Sequence, residues 1–146
     1  MKLSIPLALF AVLSVTSPAV AIDKLVAPSN LESLPHADVQ AILGRWQYPA
    51  GDEPILTFEF RADSLAVKIV KADGKVSNGT ADADYRQGEP GVIWLVTRNA
   101  RSSPPTPVEA PVAVTRLHLV SNNELDMADV GQDFNELQII PLSRAR

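Results

Sequence analysis

The side chains that could bind a metal or begin a reaction are few and scattered in this chain of 146 residues. His36 and His118 are its two histidines, and they lie far apart in the sequence. A zinc site needs both of them together with further ligands, and their spacing gives no reason for them to meet. The chain has no Cys, which excludes thiol nucleophiles and thiolate metal sites. We therefore expect no metal and no cofactor.

Carboxylates and serines do not form a catalytic pattern either. Asp82 and Asp84 share one face of a predicted strand. Both carboxylates are better interpreted as solvated surface groups than as an acid–base pair with shifted pKa values. No nucleophile elbow and no Ser–His–acid set can be read from the chain. The stretch "DMADVGQDFNE" resembles a calcium loop, but aligning Gly131 on the loop glycine places Ala128 and Val130 at ligand positions. We predict that the protein is not an enzyme.

Small and aromatic side chains on alternating positions suggest a different chemistry, that of an apolar cavity. The predicted strand 75–86 carries small residues on one face and polar residues on the other, so its inward face is nearly bare. A bare wall opposite aromatic rings could leave space for one small ligand, with a phenol as a polar contact. Close packing favours the alternative, in which the aromatic rings fill that space. The predicted ligand-binding residues are Phe58, Phe60, Ala81, Ala83, Tyr85 and Trp94.

The elements that must position these residues are short, alternating and separated by turn signals. Residues 36–43, between Pro35 and Gly44, have the composition of two helical turns. About eight strands follow, at a spacing typical of a small antiparallel barrel or sandwich. Closure into a barrel leaves no unpaired strand edge, which suits a chain without disulfides. We predict an all-β, up-and-down antiparallel barrel preceded by a short N-terminal helix, with strands at 45–48, 55–62, 65–69, 75–86, 92–98, 112–120, 124–130 and 134–140.

The first residues read as an export signal. Lys2 gives a positive start, an apolar run covers residues 3–15, and Ala19-Val20-Ala21 is a small-x-small cleavage site. We expect cleavage after Ala21 and a periplasmic or secreted protein; an uncleaved anchor is the alternative. The predicted domains are a signal peptide at 1–21, an extended lead-in at 22–35 and the barrel at 36–146.

Charge limits the partners of the mature chain. The formal net charge of the full sequence is −4, and removal of Lys2 with the signal peptide makes it −5, which disfavours nucleic acid and anionic lipid surfaces. Predicted outward positions carry Glu59, Arg61 and Lys68, which disfavours a barrel embedded in a membrane. The Pro-rich stretch 99–111 lacks backbone donors at three positions and is predicted to be an exposed loop, whose role stays open. We expect a monomer.

Gly44-x-Trp46 at the start of the first strand, and Arg144 in "PLSR" near the chain end, resemble features of the lipocalin and wider calycin group. The chain is most similar to the short lipocalin-like domains of bacterial exported proteins, over most of residues 36–144. It lacks the Thr-Asp-Tyr stretch and the disulfide of typical lipocalins. The resemblance implies that Trp46 closes one end of the barrel and that Arg144 crosses the indole face. It also implies an exported binding protein for a small apolar or amphipathic ligand.

Two other functions remain open on the sequence. One is a protein-binding barrel such as a periplasmic protease inhibitor, because "NLESLPHADVQAILGRW" is similar to the entry of bacterial metalloprotease inhibitors, whose lead-in strand enters the enzyme cleft. Those inhibitors carry a disulfide that this chain lacks. The other is a structural envelope protein without a ligand, which would use the Pro-rich stretch as an interaction segment.

Overall fold

The computed structural model describes residues 26–105, 112–130 and 139–145, and these form a closed antiparallel barrel. Each strand pairs with the next along the chain, and the last strand pairs with the first. The predicted all-β, up-and-down barrel is confirmed. The strands of the described residues are β1 Gly44–Tyr48, β2 Leu56–Phe60, β3 Ser64–Val70, β4 Val76–Gln87, β5 Val92–Ser103, β6 Val112–Ser121, β7 Glu124–Asp129 and β8 Ile139–Arg144.

Alternation of apolar and polar residues sets which face of each strand lines the lumen. On β2, Leu56, Phe58 and Phe60 are buried, while the residues between them are half-buried. On β4, Ser77 and Ala81 are buried and alternate with exposed polar residues, as predicted. Because successive side chains of a strand point to opposite faces, these buried residues all face the inside of the barrel.

The barrel has two ends that differ in their strand termini. At the lower end, β1 begins at Gly44 and β8 ends at Arg144, close to each other across the β1–β8 pairing. At the upper end, β7 ends at Asp129 and β8 begins at Ile139. We use these two names for the ends below.

The predicted helix at residues 36–43 is not formed. His36 instead makes an isolated bridge with Arg86 of β4. The backbone N–H of Ala37 donates to the carbonyl of Tyr85 at 3.0 Å, so it is engaged by a neighbouring strand. A single turn remains, in which the N–H of Leu43 donates to the carbonyl of Val39 at 3.0 Å. Pairing with the barrel outweighs the weak helical preference of this short segment.

Two strand boundaries also differ from prediction. β5 runs to Ser103, so residues 99–103 belong to the sheet rather than to an exposed loop. Arg101 to Ser103 pair with β4 beyond an irregularity in register, and the three prolines come only after this pairing. The rest of the Pro-rich stretch lies partly outside the described residues.

β8 extends beyond the C-terminal end of the predicted strand 134–140, as far as Arg144. Ile139 and Ile140 of that prediction belong to β8, and residues 134–138 lie outside the described part of the chain. Pro141 falls inside the strand. It lies where the described pairing of β8 is with β7 alone, so a missing backbone donor is tolerated there.

The chain before the barrel lies on its outside. Residues 26–35, which we call the lead-in segment, contain one short 3-10 turn at Leu31–Ser33. The predicted signal peptide and residues 22–25 lie outside the described residues. Within the part of the chain that is described, no helix is long and apolar enough to cross a membrane.

Candidate functional site

The lumen contains most of the residues predicted to bind a ligand. Phe58 and Phe60 are stacked, with ring centroids 6.3 Å apart and planes 11° from parallel. Ala81 is buried and Ala83 is half-buried on β4. Tyr85 is buried, and its hydroxyl donates to the carbonyl of Arg61 at 2.8 Å. Burial, followed by the charge of Asp63, raises the pKa of the Tyr85 phenol well above its usual value. This phenol is thus neutral and already satisfied by the backbone.

The lumen is filled by its own side chains. Eight of the apolar residues that line it have no exposed surface at all, so no void large enough for water touches them. The space left by the small residues of β4 is therefore taken by large neighbours, as the close-packing alternative anticipated. These eight residues are Leu56, Phe58, Leu65, Leu95, Leu117, Leu125, Met127 and Ile140.

Trp94 does not face the lumen, and this position corrects the prediction. Ile93 and Leu95 point inward, so Trp94 between them points to the outside of the barrel. A Cβ added to Gly88 would lie 2.8 Å from the indole Nε1, which shows how closely the chain approaches the ring. Trp94 belongs to a second apolar cluster, the outer cluster, which consists of Val92, Trp94 and Ala128 with Ala27, Leu31, Leu34, Val114, Val130 and Ile139 packed against them.

Gly44, Trp46 and Arg144 meet at the lower end. The Arg144 guanidinium lies 4.1 Å from the centroid of the Trp46 ring. The indole Nε1 donates to the carbonyl of Ile42 at 2.9 Å, and Trp46 is fully buried. Gly44 has a φ of +109°, a conformation that residues with a Cβ rarely adopt. This arrangement closes the lower end and leaves the indole face covered.

The lead-in segment is fastened to β4 by one arginine and by backbone pairing. Arg86 Nη1 donates to the carbonyls of Glu32 at 3.0 Å and Leu34 at 2.9 Å. Arg86 also forms an ion pair with Asp84, Nη2 to Oδ2 3.0 Å. The backbone N–H of Gln87 donates to the carbonyl of Pro35 at 2.8 Å. Together with the outer cluster, these bonds hold the segment against the barrel wall.

A groove runs between the lead-in segment and strands β5 and β6, which we call the outer groove. Its volume is about 430 Å³. Val96, Val112 and Val114 provide apolar side chains, and Val112 is 45% exposed. Arg98 lies beside them, and no ion pair to it is found among the described residues. The remaining lining consists of residues 29–33, Asp84 and Arg86.

The other side of the lead-in segment borders a second groove of about 580 Å³. Val26, Pro28 and Leu34 line it from the lead-in segment, and Trp94 and Arg116 line it from the barrel. Trp94 is only 7% exposed, because the outer cluster already covers it. The free apolar surface of this groove therefore comes chiefly from Val26 of the lead-in segment, which is 64% exposed.

Asp129 and Thr115 form a buried polar pair at the upper end. The two residues are direct cross-strand partners on β7 and β6. Asp129 is 2% exposed and Thr115 is fully buried. The Oδ1 of Asp129 and the Oγ1 of Thr115 have no hydrogen-bond partner. Burial raises the pKa of the Asp129 carboxyl to about 8.

No protein-family model, curated protein or solved structure matches this chain. The resemblance to lipocalin-like domains thus stays a prediction that rests on Gly44, Trp46 and Arg144.

Residues 26–105, 112–130 and 139–145 contain no group of three side chains that could together bind a metal ion. His36 is paired with Asp84, Nδ1 to Oδ1 3.5 Å, and is largely exposed. His118 lies on β6, next to the turn at Gly91.

Sequence reasoning missed the outer groove and the polar pair. The outer groove could have been suspected from β5, because Val92, Trp94 and Val96 alternate with Ile93 and Leu95, so both faces of this strand are apolar. A strand of that kind must be covered on both sides. Asp129 gave no such signal, because an acidic residue near a strand end usually faces solvent.

Proposed function

We propose that the protein is an exported, non-enzymatic binding protein for a small amphipathic ligand with an acidic head group, and that it binds this ligand in the outer groove. One observation carries the proposal: a valine-lined groove, in which Val112 is 45% exposed, contains Arg98, to which no ion pair is found among the described residues. Export rests on the signal-peptide pattern of residues 1–21. The sequence favoured a small apolar or amphipathic ligand; we add the acidic head group and move the site from the lumen to the barrel wall.

The dimensions of the outer groove suit a small molecule. Ligand sites usually enclose about 300 to 1,000 Å³ and combine apolar walls with a few polar groups. The groove has a volume of about 430 Å³, with valines on β5 and β6 and backbone from residues 29–33 on the other side.

Arg98 is the group that would select an acidic head. Its neighbour Arg86 is already engaged by two carbonyls and by Asp84, so Arg86 has few donors left. Arg98 is half-buried and has no such partner among the described residues. A guanidinium offers paired donors to a carboxylate, and such bonds are among the stronger ones in proteins.

The packed lumen argues against the site expected from the sequence. Entry of a ligand would require Phe58 and its fully buried neighbours to move apart, at the cost of their mutual contacts. The outer groove needs no such rearrangement.

The bound position of the lead-in segment also bears on the inhibitor alternative. An inhibitory strand must leave its own barrel to enter an enzyme cleft. Residues 26–35 are held by Arg86 and contribute Leu31 and Leu34 to the outer cluster. Their release would expose Trp94 to water, which makes this segment a poor free strand.

The test uses the protein purified from an exporting host, titrated with decanoate and followed by amide and methyl NMR. We expect shift changes at Val96, Val112 and Val114, and none beyond small secondary effects at Phe58 and Phe60. Changes centred on Phe58 and Phe60 would return the site to the lumen. No saturable change at millimolar decanoate would contradict ligand binding in the outer groove.

A matched pair of variants tests the head-group contact. Arg98→Gln should weaken decanoate binding about tenfold or more, because a charge-assisted bond contributes about 1.5 kcal/mol or more. Arg101→Gln, on the same strand but outside the groove, should leave it unchanged. Decanol should bind both variants and the parent protein alike. Equal loss of decanoate and decanol binding in Arg98→Gln would mean that Arg98 shapes the groove and does not bind the head group.

A further inference from the structure

Asp129 is the most unusual titratable group of the barrel. It is the last residue of β7, and it shares the inward face of that strand with Leu125 and Met127. Its side chain is 2% exposed, and Oδ1 accepts no hydrogen bond. Thr115, directly opposite on β6, is fully buried and its hydroxyl is unpaired as well. A buried carboxylate needs a partner to remain ionised, so this carboxyl is held in its neutral form.

No charged group faces Asp129 from the neighbouring strands. The inward residues of β6 are Ala113, Thr115 and Leu117, and the buried inward residues of β8 are Ile140 and Leu142. Farther around the wall, β5 presents Ile93, Leu95 and Thr97. Apart from Asp129, the inward titratable groups among the described residues are Tyr85 and Arg144 at the lower end and Tyr48 at the end of β1, and no hydrogen bond or ion pair described joins any of them to Asp129. Nothing described therefore compensates an ionised Asp129 in place.

We propose that Asp129 and Thr115 form a proton-operated latch at the upper end of the barrel. With Asp129 neutral, the end of β7 stays on β6 and the carboxyl stays in the lumen. When Asp129 ionises, the carboxylate turns out to water and the last residues of β7 separate from β6. The latch is a property of the barrel and stands independently of the ligand proposed for the outer groove.

The described contacts of Asp129 and Val130 with β6 are few. The last described pair between β7 and β8 joins Ala128 to Ile139, and residue 138 lies outside the described part of the chain. On the β6 side, the described pairing that must open consists of the register pair with Thr115 and the bond from the Val130 N–H to the Val114 carbonyl, 3.2 Å long. Opening two residues at a strand end exposes little surface. Keeping an unpaired charge in an apolar lumen costs more, so ionisation favours the open end.

The direction with pH follows from the burial of the carboxyl. Burial raises the pKa of Asp129 to about 8, so the latch is closed below that pH and opens as pH rises through it. Because β7 continues into Val130, which packs in the outer cluster, opening should also loosen the contact of Val130 on the outside of the barrel.

The experiment follows two signals in the full mature chain between pH 6 and pH 9.5. The Asp129 carboxyl carbon shift reports ionisation, and the protection factor of the Val130 amide, corrected for the intrinsic exchange rate, reports opening. We expect a carboxyl midpoint near pH 8 and at least a tenfold loss of Val130 protection across the same range. The amide of Leu125, farther along β7, should keep its protection.

Two variants separate the latch from general loosening of the barrel. Asp129→Asn cannot ionise, so Val130 protection should not depend on pH. Asp126→Asn changes an outward carboxyl on the same strand and should behave as the parent protein does. A carboxyl midpoint below pH 5, or a Val130 protection factor that is constant through the midpoint, would overturn the proposal. Both readouts come from the parent protein, so the test holds even if Asp129→Asn does not fold.

Discussion

The two ends of the barrel treat buried polar groups in opposite ways. At the lower end, the Trp46 indole donates to Ile42, and Arg144 donates to the carbonyls of Leu43 at 2.8 Å, Ala41 at 2.7 Å and Asn122 at 3.1 Å. At the upper end, Asp129 and Thr115 lie opposite each other with an unpaired oxygen on each. The polar groups at the lower end are therefore hydrogen-bonded, whereas those at the upper end each have an oxygen without a hydrogen bond.

We therefore expect the polar groups of the lower end to raise the free energy of unfolding, and those of the upper end to lower it. A buried polar group with partners contributes about 1 kcal/mol, whereas one without partners costs about 1 to 3 kcal/mol. Deleting polar groups should therefore destabilise the lower end and stabilise the upper end. Natural proteins keep costly polar groups mainly where a site or a switch needs them.

The largest expected effect is the pH dependence of stability due to Asp129. The unfolded carboxyl ionises near pH 4, while the folded one ionises only near pH 8. Between these values the folded state binds the extra proton, so stability falls as pH rises and levels off above about pH 8. The loss attributable to Asp129 is about 1.4 kcal/mol per pH unit, or roughly 5 kcal/mol in all. Urea unfolding at several pH values measures it, as the difference between the parent protein and Asp129→Asn.

Asp126→Asn is the control for this measurement. Asp126 lies on the outward face of β7, where burial raises the pKa of its carboxyl and the charge of His118 opposes that rise. It should account for only a small part of the slope. Equal slopes in the parent protein and in Asp129→Asn would show that the upper end already satisfies its carboxylate, and the contrast between the two ends would fail.

The second effect belongs to the lower end, where removing a polar group should destabilise the barrel. Arg144→Met keeps an apolar stem but removes three bonds to carbonyls and the cation over Trp46. We expect a loss of about 2 kcal/mol in the free energy of unfolding, since the guanidinium is only half-buried. Arg144→Lys should recover less than half of it, because an ammonium cannot reproduce the planar fork. Full recovery in Arg144→Lys would assign the effect to charge alone.

Much of the barrel could be predicted because its strands carry clear alternation. Phe58 and Phe60 on β2, and the small residues of β4, leave one consistent choice of inward face. The roles expected for Trp46 and Arg144 came from the resemblance carried by Gly44-x-Trp46. The inward faces could be predicted from residues within one strand, and the roles of Trp46 and Arg144 from a short motif.

The remainder depended on contacts between distant segments. On β5 both faces are apolar, so alternation could not decide whether Trp94 points in or out. The lead-in segment covers the outer face of β5, which allows Trp94 to point outward. The pairing of His36 with Arg86 takes the place of the predicted helix. The inward position of Asp129 follows from the register of β7 with β6, which turn residues and propensities did not reveal.

The smallest effect tests the upper end without any change of charge. Thr115→Val keeps the branched shape and removes the unpaired hydroxyl, so the protein should gain about 1 kcal/mol in urea unfolding at pH 6, where Asp129 is neutral. Thr80→Val, on an exposed position of β4, should change stability by less than about 0.5 kcal/mol. If Thr115→Val instead loses 1 kcal/mol or more, the hydroxyl has a partner in solution, most simply a buried water. The upper end would then be satisfied like the lower one, and Asp129 would have a hydrated neighbour able to hold its charge.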